Sequence, residues 1–142
     1  MIKGLIFDLD GTLLDTIYDI QAATNKVLEE YQKPLRSYDD IKNFLGNGSR
    51  VLIKKSLESD DDKLIDEVLE KYLKIYTKDY AIKSRVYDGM DELRLKLQND
   101  GIKLAVNSYK PDDICKDIMN VYFKDINFID IIGARENFKN KP

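Results

Sequence analysis

Histidine is absent from the 142 residues of this chain, and cysteine occurs once, at Cys115. Without imidazole there is no Ser-His or Cys-His nucleophilic pair and no zinc site with histidine ligands. One cysteine cannot close a disulfide within the chain, which predicts a reducing compartment. Cys115 lies in the helical pattern "DDICKDIM" with no histidine to activate it, so it is expected to pack rather than react. An excess of charge of one sign is lacking too. The 23 Lys and Arg against 26 Asp and Glu leave a net charge of -3. A nucleic-acid binder needs a clustered basic excess, and no basic block here exceeds two residues. No apolar window is long enough to span a bilayer. The opening "MIKGLIFDLD" lacks the apolar core and cleavage site of a signal peptide. These absences predict a soluble cytoplasmic protein that binds neither nucleic acid nor membrane.

What is present changes period along the chain. Residues 2–7 form a short apolar run that stops at Asp8, the pattern of a buried parallel strand. Gly11 lets the chain turn sharply after it. From Thr16 the apolar residues Ile17, Ile20, Ala23, Val27, Leu28 and Tyr31 recur at helical spacing, and Pro34 closes that helix. Ser37 or Asp39 then caps a short helix holding Ile41, Phe44 and Leu45. After the break "GNGS" a further helix carries Val51, Leu52 and Leu57. The longest helix is expected from about Asp61 to Tyr80, where acidic residues complement the start of the helix dipole. A helix over 88–99 ends at Gly101, a strand covers 102–108, Pro111 opens a helix over 111–120, and a strand covers 128–134. The order predicts an α/β fold: a Rossmann-like three-layer core with a parallel sheet, made of residues 1–15 and 82–142, plus an inserted all-helical cap over 16–81.

In an open parallel sheet, ligands bind outside the carboxyl ends of the strands. Asp8 stands at such an end. A carboxylate is ionised at neutral pH and can attack phosphorus without a base, giving an acyl phosphate that water then hydrolyses. Two anions must meet for this, which calls for a divalent cation. Asp10, on the same side of the strand end, could protonate the leaving oxygen and later take a proton from water. Such a division of labour requires the two carboxyl groups to differ in protonation. Taken alone, "DLDGT" is equally an ordinary turn, because Asp and Gly dominate turns.

The wider pattern resembles a known family. "FDLDGTLLDT" resembles the first motif of the haloacid dehalogenase-like superfamily, whose phosphatases carry Asp-x-Asp-Gly-Thr. "FLGNGSRVLIKKSL" is similar to the cap helix of its phosphoglycolate phosphatase branch, and "VYDGMDELRLKLQNDGIKLAVNSYKP" to that branch's return into the second motif. "FIDIIGARENFKNKP" resembles the third strand and the approach to the third motif. The resemblance implies Asp8 as nucleophile and metal ligand. It implies Asp10 as general acid/base, with its backbone carbonyl also on the metal, and Mg2+ as cofactor. Ser108 matches the hydroxyl that binds a phosphoryl oxygen. Gly11, Thr12 and the backbone near Tyr109 match the anion cradle, and Lys141 matches the lysine that neutralises phosphate charge beside Asp8. The substrate implied is a small phosphorylated metabolite, and Arg50, in the cap break, is a candidate contact to it.

Each of these residues has a plainer reading. Ser108 is also a common helix-entry residue, Tyr109 departs from the branch pattern and can simply pack, and Arg50 fits an exposed helix start. The family's fourth motif, an acidic Gly-Asp with a further Asp, has no counterpart before Pro142. The expectation is therefore a fragment of a longer phosphatase, ahead of a degenerate gene product or a chain completed by a partner. The first strand is expected to lie at an exposed sheet edge, open to self-association. A phosphosugar mutase of the β-phosphoglucomutase kind and a catalytically dead binding module are the alternatives.

Overall fold

The structure is a computed structural model and describes residues 1–135. In chain order the elements are β1 (Gly4–Phe7), β2 (Leu14–Asp15), α1 (Ile17–Glu30), α2 (Tyr38–Phe44), α3 (Ser49–Leu57), α4 (Asp62–Asp79), β3 (Arg85–Val86), α5 (Met90–Asn99), β4 (Lys103–Pro111), α6 (Asp112–Tyr122) and β5 (Phe128–Ala134). They fall into two compact units, one of Met1–Asp15 with Arg85–Pro142 and one of Thr16–Ser84.

The first unit is α/β, as expected. Its sheet has three parallel strands in the order β1-β4-β5. β1 is shorter than the apolar run that announced it, because Met1, Ile2 and Lys3 are exposed before pairing begins at Gly4. β4 is longer than expected. Its buried face runs Leu104, Val106, Ser108, Lys110, so the period of two continues through polar residues. Pro111 still pairs with Ala134, which delays the start of α6 to Asp112. α6 lays Ile114, Cys115, Ile118 and Met119 against β4 and β5. Each such fully buried side chain stabilises the unit by about 1.5–3 kcal/mol relative to exposure. Gly133 permits a close approach at this end. A Cβ there would lie 2.4 Å from the Asp112 Cα and 2.6 Å from the Lys110 carbonyl oxygen. By contrast α5 buries none of its residues. The ladder of β2 with β3 pairs Leu14 with Val86 and Asp15 with Arg85, and is too short to leave a readable period.

The second unit is helical throughout. α1 turns Ile17, Ile20, Ala23, Val27 and Leu28 inward, and α4 supplies Ile65, Val68, Tyr72 and Tyr76. These stripes recur at three and four residues and let α1 pack on α4, with α3 also against α4. Ser37, rather than Asp39, caps α2. Its Oγ accepts from the Asp40 N–H at 3.1 Å while Asp40 Oδ2 accepts from the Ser37 N–H at 2.9 Å. Asp61 caps α4 by accepting from the Lys63 and Leu64 amides. The buried Asp19 clamps the returning chain, accepting from the Lys83 and Ser84 amides and the Ser84 hydroxyl at 2.6–2.9 Å. Among the described residues no helix is long and apolar enough to cross a membrane.

Candidate active site at the carboxyl end of the parallel sheet

β1 and β4 run side by side with Phe7 opposite Val106. Asp8 therefore leaves the sheet level with Asn107 and just ahead of Ser108. The turn that follows is pinned from inside. The amides of Thr12, Leu13 and Leu14 all donate to the Leu9 carbonyl at 3.2, 3.0 and 3.2 Å, and Gly11 N–H donates to the Leu14 carbonyl at 2.9 Å. Leu9, Leu13 and Leu14 are fully buried and anchor it. Gly11 has a φ of 78°, which a side chain would resist. Thus the apolar members of "LDGTLL" hold the backbone, while Asp10 between them and Asp8 just before them are only partly buried. Asp8 Oδ1 accepts from the Leu9 N–H at 2.9 Å, which steadies the carboxylate in its own turn.

Gly11 and Thr12, expected in the anion cradle, spend these amide bonds inside the turn. Gly11 shapes the loop, and Thr12 lies exposed at its outside. Ser108 is buried at the end of β4, and its Oγ accepts from the Lys110 N–H at 3.1 Å. Tyr109 is half-buried between them. The pairing of β4 with β5 is irregular between Asn107 and Pro111, yet burial alternates without a break through Ser108 and Lys110.

Residues 5–142 match the family model of the haloacid dehalogenase-like hydrolases. The chain belongs to that family. Phosphoglycolate phosphatase from Colwellia psychrerythraea is 34% identical over 145 residues, a stretch of 97% of this chain and 64% of the relative. The enzyme of the same name from Pseudomonas savastanoi is 31% identical, over 99% of this chain and 53% of the relative. The chain thus spans between about half and two thirds of the length of these curated relatives. A solved structure of a candidate phosphoglycolate phosphatase from Lactobacillus delbrueckii subsp. bulgaricus superposes with a TM-score of 0.91 at 27% identity, covering 97% of this chain and 67% of the other.

Within this haloacid dehalogenase-like site, the residues named from sequence separate into three groups. Asp8, Asp10, Gly11, Thr12, Ser108 and Tyr109 all stand at the carboxyl end of the sheet in the α/β unit. Arg50 belongs to the helical unit, where its guanidinium binds Asp62 at 2.7 Å and Asp66 at 3.1 Å, bridging α3 to α4. Lys141 lies outside the described residues. One residue of the site was not singled out. Lys110 is buried, and its Nζ lies 3.2 Å from Asp10 Oδ1, with side-chain exposures of 4% and 19%. The signal for it was the alternation Leu104-Val106-Ser108-Lys110, which places the lysine on the same face as Ser108.

Cys115 is buried beside this group. Burial, followed by the negative charge of Asp10, pushes its thiol up to about 12. It stays a protonated packing group and is no nucleophile at neutral pH. Among the described residues no cluster of three or more acidic or sulfur groups stands ready for a metal ion. Magnesium nevertheless suits the oxygen donors present, since it is commonly held by one or two protein carboxylates completed by water and substrate phosphate. The Asp8 carboxylate is one such donor. The Asp10 side chain is paired with the Lys110 ammonium at 3.2 Å.

Proposed function

We propose that this chain hydrolyses a small phosphomonoester, of the phosphoglycolate kind, through an aspartyl phosphate on Asp8, with Mg2+ as cofactor. The observation that carries the reading is the pinned turn after β1, which holds Asp8 and Asp10 at the carboxyl end of the parallel sheet beside the buried Ser108. Its curated relatives named for phosphoglycolate hydrolysis support the substrate class.

In the first step an Asp8 oxygen bonds to phosphorus and the ester P–O bond breaks. The leaving alkoxide takes a proton from the Asp10 carboxyl group. In the second step water attacks the phosphorus of the aspartyl phosphate, Asp10 accepts its proton, and the P–O bond to Asp8 breaks, releasing phosphate. Ser108 orients the phosphoryl group: its Oγ already accepts one hydrogen bond from the chain, so its hydroxyl proton can go to a phosphoryl oxygen. The Asp8 carboxylate and the Asp10 carbonyl would hold the magnesium ion, which when bound neutralises charge between the two anions. Lys141 remains assigned to phosphate charge by the motif resemblance. The helical unit is assigned to a cap that selects the metabolite, and within it Arg50 serves first as the tie between α3 and α4.

The test is Asp8→Asn, assayed against phosphoglycolate and a generic phosphate monoester with and without magnesium. Loss of about 1,000-fold or more in kcat is expected, because the nucleophile is removed and no other group forms the covalent intermediate. Full activity in that variant would falsify the reading.

A further inference from the structure

Lys110 has no part in the two steps above, yet its ammonium lies 3.2 Å from Asp10 Oδ1. An ammonium is costly to bury unless an anion meets it. Here Asp10 Oδ1 meets it at 3.2 Å, which leaves Asp10 Oδ2 to exchange the proton in the reaction, and the lysine stem continues the apolar face of Leu104 and Val106. The backbone N–H of the same residue holds Ser108 Oγ at 3.1 Å. One residue therefore ties together the carboxyl group and the hydroxyl that the proposed reaction needs, one on the turn after β1 and the other in β4.

We propose that Lys110 is a positioning residue for Asp10. The inference rests on the phosphatase reading and deepens it. An aspartate on a surface turn can swing about two side-chain torsions. The ammonium grips Oδ1 and thereby aims the carboxyl group at the place where the leaving oxygen, and afterwards water, must exchange a proton with it. Misplacing such a group is felt in the chemical step and much less in ground-state binding. A purely structural ion pair would instead be felt in stability, with no selective effect on kcat.

The experiment compares Lys110→Met, Lys110→Arg and Asp8→Asn in the full chain, with kcat, KM and thermal unfolding measured on each. For Lys110→Met, kcat is expected to fall about 100-fold while KM stays within about threefold. Lys110→Arg, which keeps the charge, should recover kcat to within about tenfold of the wild type. A Lys110→Met protein that keeps its kcat, while Asp8→Asn is dead, overturns this inference and leaves the phosphatase reading standing. Loss of kcat in step with loss of folding, without rescue by arginine, also overturns it. A wild-type chain without turnover, or Asp8→Asn at full rate, overturns the functional reading and this inference together. Should Lys110→Met fail to fold, Lys110→Gln decides: a tenfold or larger loss of kcat at unchanged KM supports the role, and wild-type kcat removes it.

Discussion

The helical unit and the α/β unit solve the burial problem differently. In the helical unit the stripes of α1 and α4 meet each other, and large side chains such as Tyr72 and Tyr76 are sealed between helices. The α/β unit is buried along α6, through Ile114, Cys115, Ile118 and Met119, and at the carboxyl end of its sheet. There Leu9, Leu13, Leu14, Ser108 and Lys110 are buried, and Gly133 touches the backbone of the β4–α6 junction. Toward its other flank Ile6 of β1 is 73% exposed, and Leu93 and Leu95 of α5 are exposed as well. Burial in the α/β unit thus follows α6 and the carboxyl end of the sheet and leaves parts of β1 and α5 exposed, whereas in the helical unit it is spread between the helices.

The contrast can be broken most severely in the helical unit. Tyr76→Ala removes a ring stacked on Tyr72 at a centroid distance of 5.5 Å. It should cost about 3–5 kcal/mol, read from urea unfolding. Next comes the tight end of the α/β unit. Gly133→Ala places a methyl group against backbone that cannot move aside, and should cost about 3 kcal/mol while lowering kcat. If Gly133→Ala is neutral, the site end is looser than the packing implies.

A smaller effect is expected at Asp112, which accepts from the Gly133 N–H at 2.8 Å and pairs with Lys116 at 2.7 Å. Burial works against its charged form. The bonds from Lys116 and Gly133 and the charge of Arg135 outweigh this and hold its carboxyl below the usual carboxylate range. Because the folded value is depressed, this contribution is fully present above the unfolded value and is lost as pH falls through the folded one. Asp112→Asn should therefore cost about 1 kcal/mol near neutral pH, after allowance for screening by solvent, and progressively less below about pH 4. Unfolding curves at several pH values check it. Smallest of all, Ile6→Lys or Leu95→Lys on the exposed flank should change stability by less than about 0.5 kcal/mol. A large loss there would mean that the flank is packed in solution and would erase the contrast.

Much of this was legible along the chain because it depends on neighbours in sequence. The helical periods from Thr16 onward mark the second unit, the short apolar run marks β1, and its end marks Asp8 as the residue presented at the sheet's edge. The start of the longest helix near Asp61 and the packing role of Cys115 were legible for the same reason. The ambiguity between Ser37 and Asp39 was not, since both fit the spacing and only the reciprocal bonds to Asp40 decide.

What the amino-acid order determined by itself is the alternation of elements and the pair of acids after the first strand, because periodicity and turn chemistry act over a few residues. What only the tertiary structure decided are contacts between distant segments: Lys110 on Asp10, Gly133 against Asp112, and Asp19 holding Lys83 and Ser84. Each depends on strand register or on how a helix meets a returning chain. Those relations are set by the packing of the whole unit, where burying a charge is tolerated only if an opposite charge or a hydrogen-bond donor arrives from elsewhere in the fold.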